Sequence, residues 1–250
     1  MTKPLPRLKT DAMRVGCAGW SLASKDAPAF PAEGTHLKRY AKVFPCTEIN
    51  SSFYRSHQEK TYARWADSVP ESFRFSVKMP RTMTHELRLR RCEVPLRAFL
   101  GEVTALGNKL GCILIQLPPS LALDVRSVRA FFTLLRKCTS LPVACEPRHA
   151  TWFTPKGAAI LSEADVSFVW AHPSPVEGIE PPDDQGMLYI RLHGAPQVYY
   201  SSYDNAFIES IAARMRQAHT QGRDAWCIFD NTARGEAVPN ALTLLKQVGG

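Results

Sequence analysis

Short apolar runs that end in a charged or amide side chain, each followed by a helix-length segment, recur along this chain, and that rhythm constrains the fold most. The clearest ends are Glu48-Ile49-Asn50, Val77-Lys78, Ile115-Gln116, Cys145-Glu146, Trp170 before His172, Ile190-Arg191 before His193, and Phe229-Asp230-Asn231. Strands separated by helices are the pattern of a parallel α/β fold, in which loops after the strands carry function. The runs predict eight strands, at 13–18, 46–50, 73–78, 111–117, 142–146, 166–170, 187–193 and 225–230. Helices are predicted at 35–43, 59–67, 93–106, 125–138, 155–164, 205–220 and 236–248. Eight such strands in 250 residues fit a single TIM-type (β/α)8 barrel with parallel strands and outer helices. The expected organisation is a tail over residues 1–11 and one barrel domain over 12–250.

Between the sixth and seventh strands no helix is readable. Residues 171–186 hold Pro173, Pro175, Pro181 and Pro182 with Gly178 and Gly186, and proline lacks the donor that a helix interior needs. A long irregular segment of this kind is either a lid or binding loop, or a plain surface connection.

Strand side chains alternate between faces, so parity sorts the polar groups. Glu48 and Asn50 share a face, Ser76 and Lys78 oppose Phe75 and Val77, Leu114 goes with Gln116, and Tyr189 goes with Arg191 and His193. Helices cover a barrel's outside, so the mixed sets face inward. Catalytic groups in such barrels come from the carboxyl ends of several strands. Glu48, Lys78, Gln116, Glu146, Arg191, His193 and one of Asp230 or Asn231 are therefore expected around one mouth. A structural ion network would use the same residues, but each desolvated charge must then be matched.

The candidate catalytic set is Glu48, Lys78, Glu146 and His193. The two carboxylates would work as acid and base, and Lys78 and Arg191 would stabilise developing negative charge. Candidate ligand contacts are Trp20, Asn50, Tyr54, Arg81, His85, Gln116, Arg148, His149, Trp152, Arg191, Asp230 and Asn231, with Trp20 and Trp152 singled out among the loop aromatics. No His-x-His or His-Glu-x-x-His spacing supports a metal, and no cofactor is expected. The loops 193–196 and 231–235 lie where these barrels often hold phosphate, which favours an anionic ligand.

Net charge is +8, within what solubility alone explains, although Arg74, Lys78, Arg81, Arg88, Arg90, Arg91 and Arg97 crowd one stretch. That stretch reads as a solvated surface. The seven cysteines are odd in number, none form a Cys-x-x-Cys pair, and several fall inside apolar strands, so a reducing, cytoplasmic location is expected. No signal peptide or membrane span is readable. The expected partner is a polar or anionic small molecule or nucleotide fragment acted on by hydrolase-like acid/base chemistry. The alternatives are a non-catalytic nucleic-acid-binding module and a metal-dependent phosphodiesterase.

An ordered set of segments resembles the YecE-like proteins, a domain of unknown function (DUF72). It comprises Gly19-Trp20, Glu48 to Tyr54, Phe73 to Lys78, Thr84-His85, Gln116 to Pro119, Glu146 with Arg148-His149 and Trp152-Phe153, Tyr189 with Arg191 to Gly194, and Asn231. The resemblance implies a TIM-type barrel and no established reaction. The chain departs from the family pattern at Pro147, where an aromatic is usual, and at Asp230, where an amide is more usual.

Overall fold

The computed structural model describes residues 13–182 and 186–249, so the tail expected over 1–11 lies outside the described residues. Eight parallel strands run in the order β1-β8-β7-β6-β5-β4-β3-β2. They are β1 (Met13–Cys17), β2 (Cys46–Ile49), β3 (Arg74–Lys78), β4 (Leu110–Gln116), β5 (Val143–Glu146), β6 (Ser167–His172), β7 (Leu188–Leu192) and β8 (Ala225–Phe229). Each strand lies beside its neighbour in sequence and β8 returns to β1, which is the barrel that the rhythm predicts. The helices are α1 (His36–Tyr40), α2 (Glu59–Asp67), α3 (Glu93–Val103), α4 (Val125–Cys138), α5 (Pro155–Glu163), α6 (Asn205–Thr220) and α7 (Ala237–Val248).

Helix α4 illustrates why these segments dock. Val128, Phe131, Phe132 and Leu135 recur at three- and four-residue spacing and are all buried, so one stripe faces the sheet. Each such side chain contributes about 1.5–3 kcal/mol by leaving water. Helix α6 starts where Asp204 accepts from the Phe207 amide at 2.8 Å, a side-chain cap worth about 1 kcal/mol. Helix α1 is shorter than the predicted 35–43, because residues 41–43 continue as turns rather than helix.

Two apolar layers result. Val15, Phe75, Val77, Ile113, Ile115, Ile190 and Phe229 pack outward against the helices. Cys46, Cys112, Leu114, Ala144, Val169, Ala171, Tyr189, Trp226 and Ile228 fill the interior, floored by the Trp226 ring with the Arg14 guanidinium 5.3 Å from its centre.

The barrel closes differently between β1 and β2. A single bridge joins Ala18 to Glu48, and the Gly19 amide donates to the Glu48 carbonyl at 2.9 Å. Below it the Tyr40 hydroxyl is inserted between the strands. It accepts from the Cys17 amide at 2.8 Å and donates to the Cys46 carbonyl at 3.0 Å, supplying what a ladder would otherwise supply. Gly16 makes this approach possible, since a Cβ there would lie 2.2 Å from the Cys46 carbonyl oxygen.

The described part of the β6–β7 segment contains no helix, as predicted, and turns outward. Glu180 accepts from the Trp170 indole at 3.0 Å and lies 3.5 Å from Arg214 of α6. No helix among the described residues is long and apolar enough to cross a membrane.

Candidate functional site

The carboxyl ends of the strands converge on Arg191, whose side chain is fully buried. Its Nε and one terminal nitrogen form a fork on Glu48, at 3.0 and 2.7 Å. The other terminal nitrogen reaches Glu146 Oε2 at 2.6 Å, and the nitrogen shared with Glu48 also donates to Asp230 Oδ2 at 3.1 Å. Glu48 lies 3.1 Å from the Tyr189 hydroxyl, which is 2.7 Å from Ser76 Oγ. A phenol has one proton, so Tyr189 donates to the carboxylate while Ser76 donates to the phenol oxygen.

His193 sits between two acids, with Nε2 3.2 Å from Glu146 Oε1 and Nδ1 3.1 Å from Asp230 Oδ2. Arg148 completes the layer by donating to Glu146 Oε1 from Nε at 2.9 Å and from a terminal nitrogen at 2.8 Å. Glu48, Glu146 and Asp230 thus face Arg191, Arg148 and His193, whose two ring nitrogens each lie against a carboxylate. Gln116 is buried alongside, in register with Glu146.

Lys78 stands apart. It is 5 % exposed, and its ammonium lies 4.3 Å from the centre of the Phe53 ring. Among the described residues the ammonium makes no hydrogen bond or close ion pair, because the neighbouring carboxylates are turned to Arg191, His193 and Arg148. The other face of this corner is His85, edge-on to Phe53 at 5.0 Å and held by Thr84 at 2.8 Å. It is carried on a π-helical turn, Thr82–Glu86, a conformation frequent at functional sites. Arg81 flanks it, half-exposed and 3.7 Å from Glu86, and Tyr54 projects into solvent beside Phe53. Asn50 adds a buried side-chain oxygen without a hydrogen-bond partner among the described residues.

The structure does not bring every predicted contact to the mouth. Trp152 is wholly buried, with its indole donating to the Leu121 carbonyl at 2.9 Å, so it is a packing residue. Trp20 packs edge-on against Trp65 at 5.0 Å and against the helix-facing Phe75, on the outer side of the sheet. His149 caps the turn Ala150–Trp152 through the Thr151 amide. Of the pair at the end of β8, Asp230 enters the ion layer. Asn231 instead donates to the Ser201 carbonyl and to Asn240 of α7, both at 3.0 Å. Asn240 also bonds the Tyr203 main chain and Ser202, tying the β7–α6 and β8–α7 loops together. Gly194 permits the turn after His193 with φ of 92°. The crowded arginines lie on the surface, with Arg90 on Asp124, Arg97 on Glu93 and Arg88 on Ser120.

The sequence profile described as "Protein of unknown function DUF72" matches residues 14–250. The chain belongs to this family. It is similar over its length to the UPF0759 protein YunF of Bacillus subtilis (strain 168), at 25% identity covering 93% of each chain. It also matches the UPF0759 protein YecE of Escherichia coli (strain K12), at 33% identity over 34% of this chain and 31% of that one. Among solved structures, a DUF72 family protein from Thermotoga maritima MSB8 superimposes with a TM-score of 0.79 at 20% identity, covering 96% of this chain and 100% of that one. One from Enterococcus faecalis V583 gives 0.77 at 21% identity, covering 96% of each. These neighbours share the barrel.

Electrostatics separate the roles in this DUF72 barrel. Burial, the largest single effect, would raise the Glu146 and Asp230 carboxyls, but it is outweighed by Arg191, Arg148 and His193 together at Glu146 and by Arg191, His193 and Lys78 together at Asp230. Both are held below the carboxylate range. Burial would lower His193, yet Glu146 and Asp230 together raise it. Lys78 goes the other way, brought down to about 8 by burial first and then by Arg191. His85 is lowered by burial and by Lys78, Arg81 and Arg148, which marks the corner as electropositive. Among the described residues no three His, Cys, Asp or Glu side chains are arranged to hold a metal ion.

The raised His193 has a consequence for stability. Above the ordinary imidazole value of about 6.5 the folded state still holds a proton that the unfolded chain has released. The stabilisation is therefore full below about 6.5 and is lost as pH rises through the folded value. Comparing wild type with His193→Gln at each pH cancels the opposite slope of Lys78. The stability difference, measured by denaturant melts, should shrink steadily with rising pH, and a constant difference would show that His193 is not a cation in the fold.

Proposed function

We propose that the mouth binds a small polar molecule through an anionic group, received by Lys78 with Arg81, His85 and the outer edge of Arg148, and that acid/base chemistry takes place above the Arg191 layer. The observation that carries this reading is the charge balance. The three carboxylates are hydrogen-bonded by Arg191, Arg148 and His193, which leaves the desolvated Lys78 ammonium with no carboxylate in hydrogen-bond contact among the described residues. A buried charge costs several kcal/mol unless matched, and an incoming anion matches it. Glu48, Glu146 and His193 then serve by fixing the positive floor rather than by exchanging protons. Lys78, poised near neutrality, is the group that takes up and gives back a proton.

The test is calorimetric titration of inorganic phosphate, and of a small dicarboxylate, into wild type and Lys78→Met. A charge-assisted hydrogen bond is worth about 1.5–3 kcal/mol, so affinity should fall by roughly 10- to 150-fold, with the circular dichroism spectrum unchanged. Equal affinity in the two proteins would overturn the assignment.

A further inference from the structure

We propose that Lys78 is a covalent nucleophile, and that the molecule taken by the mouth is an anion-bearing aldehyde or ketone, a keto acid or a phosphorylated carbonyl compound, captured as a protonated imine. The inference rests on the anion-binding reading and names the substrate class for it. Its geometric basis is the isolation of the Lys78 amine. The ammonium emerges at the carboxyl end of β3, in register with Leu114, and lies over the Phe53 ring at 4.3 Å, so its lone pair, once free, has an apolar neighbour rather than a competing donor or acceptor. The carboxylates that would otherwise hold it as a salt-bridged ammonium are turned to Arg191, His193 and Arg148. A lysine is activated as a nucleophile by desolvation in an apolar pocket and by a nearby cation, and here both conditions are met, with Arg191 as the cation.

The chemistry balances without an oxidant or reductant. The ammonium gives up a proton to become a free amine, and nitrogen attacks the carbonyl carbon as the carbonyl π pair moves to oxygen. The oxygen receives protons from nitrogen and from the proton released at the start, the carbon–oxygen bond breaks, and water leaves. In sum, one ammonium and one carbonyl compound give one protonated imine and one water. The nitrogen at position 78 is cationic before the step, as the ammonium, and again after it, as the protonated imine, so the anionic group of the ligand has its partner in both bound states. His85 on the π-helical turn, with Arg81 at the residue before that turn, is placed to orient that group.

The experiment is borohydride trapping on the full chain with glyoxylate as the probe, read by intact mass and peptide mapping. The expected result is one adduct per chain, on Lys78, formed at least ten times faster than on any other lysine, slowed by added phosphate and absent in Lys78→Arg. A second readout needs no variant: the trapping rate of the wild type should rise with pH to a midpoint near 8, whereas surface lysines rise toward about 10.4. Adducts scattered over the surface lysines, or a midpoint near the ordinary lysine value, would overturn the proposal. Phosphate binding in the calorimeter without any trapped adduct would remove the covalent role and leave the anion site. Absence of both would remove both.

Discussion

Arg191→Leu is expected to yield no folded protein. The guanidinium is fully buried and makes four hydrogen bonds of 2.6–3.1 Å to Glu48, Glu146 and Asp230. Breaking one buried pair by removing a partner costs about 3–5 kcal/mol, because the charge left behind is unmatched. Here three carboxylates lose their common cation at once. A domain of ordinary stability has about 5–15 kcal/mol in total, so two such losses consume most of it. Arg191→Lys should not restore the fold fully, since a point charge cannot present the fork that spans Glu48 while reaching two further acids. The measurement is soluble yield and far-ultraviolet circular dichroism of purified variants. Neutralising the orphans, by adding Glu48→Gln and Glu146→Gln to Arg191→Leu, should recover folded protein if unpaired charge is the cause. A single Arg191→Leu variant melting within 1–2 kcal/mol of wild type, about the scale of an ordinary point mutation, would mean the layer is not what organises the top of the barrel.

The second large effect is expected from the addition of one methyl group. Gly16→Ala places a Cβ 2.2 Å from the Cys46 carbonyl oxygen, where real contacts are never so close, so β1 and β2 must separate. Overpacking typically costs about 1–3 kcal/mol. Separation also strands the Cys17 amide and the Cys46 carbonyl now bridged by Tyr40, at about 1–3 kcal/mol for each buried group left unpaired. A loss of roughly 4 kcal/mol or more is expected in denaturant melts. Gly101→Ala is the matched control. It lies in α3 with nothing within 4 Å of the added carbon, and it should stabilise by about 0.4–1 kcal/mol through the unfolded chain. Similar behaviour of the two variants would mean that the seam yields freely.

The placement of Glu48, Lys78, Glu146, Arg191 and His193 at one end, with one of Asp230 or Asn231, was legible in the sequence because strand side chains alternate with a period of two. A polar residue closing an apolar run therefore has both its face and its end assigned. Helix positions followed from longer apolar stripes, with the error at α1, where a five-residue helix gives too little pattern to bound. What alternation cannot carry is the direction taken by a long side chain beyond Cβ. It shows that Arg191 shares a mouth with Glu48 and Glu146, and not that Arg191 reaches both of them and Asp230 while Lys78 is left over. The same limit explains Trp20 and Trp152. Loop tryptophans have no periodic signal, and nothing in the sequence distinguishes an indole over a ligand from one bonded to the Leu121 carbonyl. Tyr40 and Asn240 were invisible for a related reason, since each is a helix residue whose polar end serves a distant backbone.

The phenolic bridge between the first two strands is flanked by Cys17 and Cys46. Both thiols are buried, and burial pushes both up, Cys17 to about 12. Since the thiolate is the reacting species, an alkylating reagent finds neither sulfur while the cylinder is shut. Parting of the two strands returns both sulfurs to water and to ordinary acidity. Labelling of these two sulfurs therefore reports the parting of the first two strands, whether that parting is local or part of global unfolding.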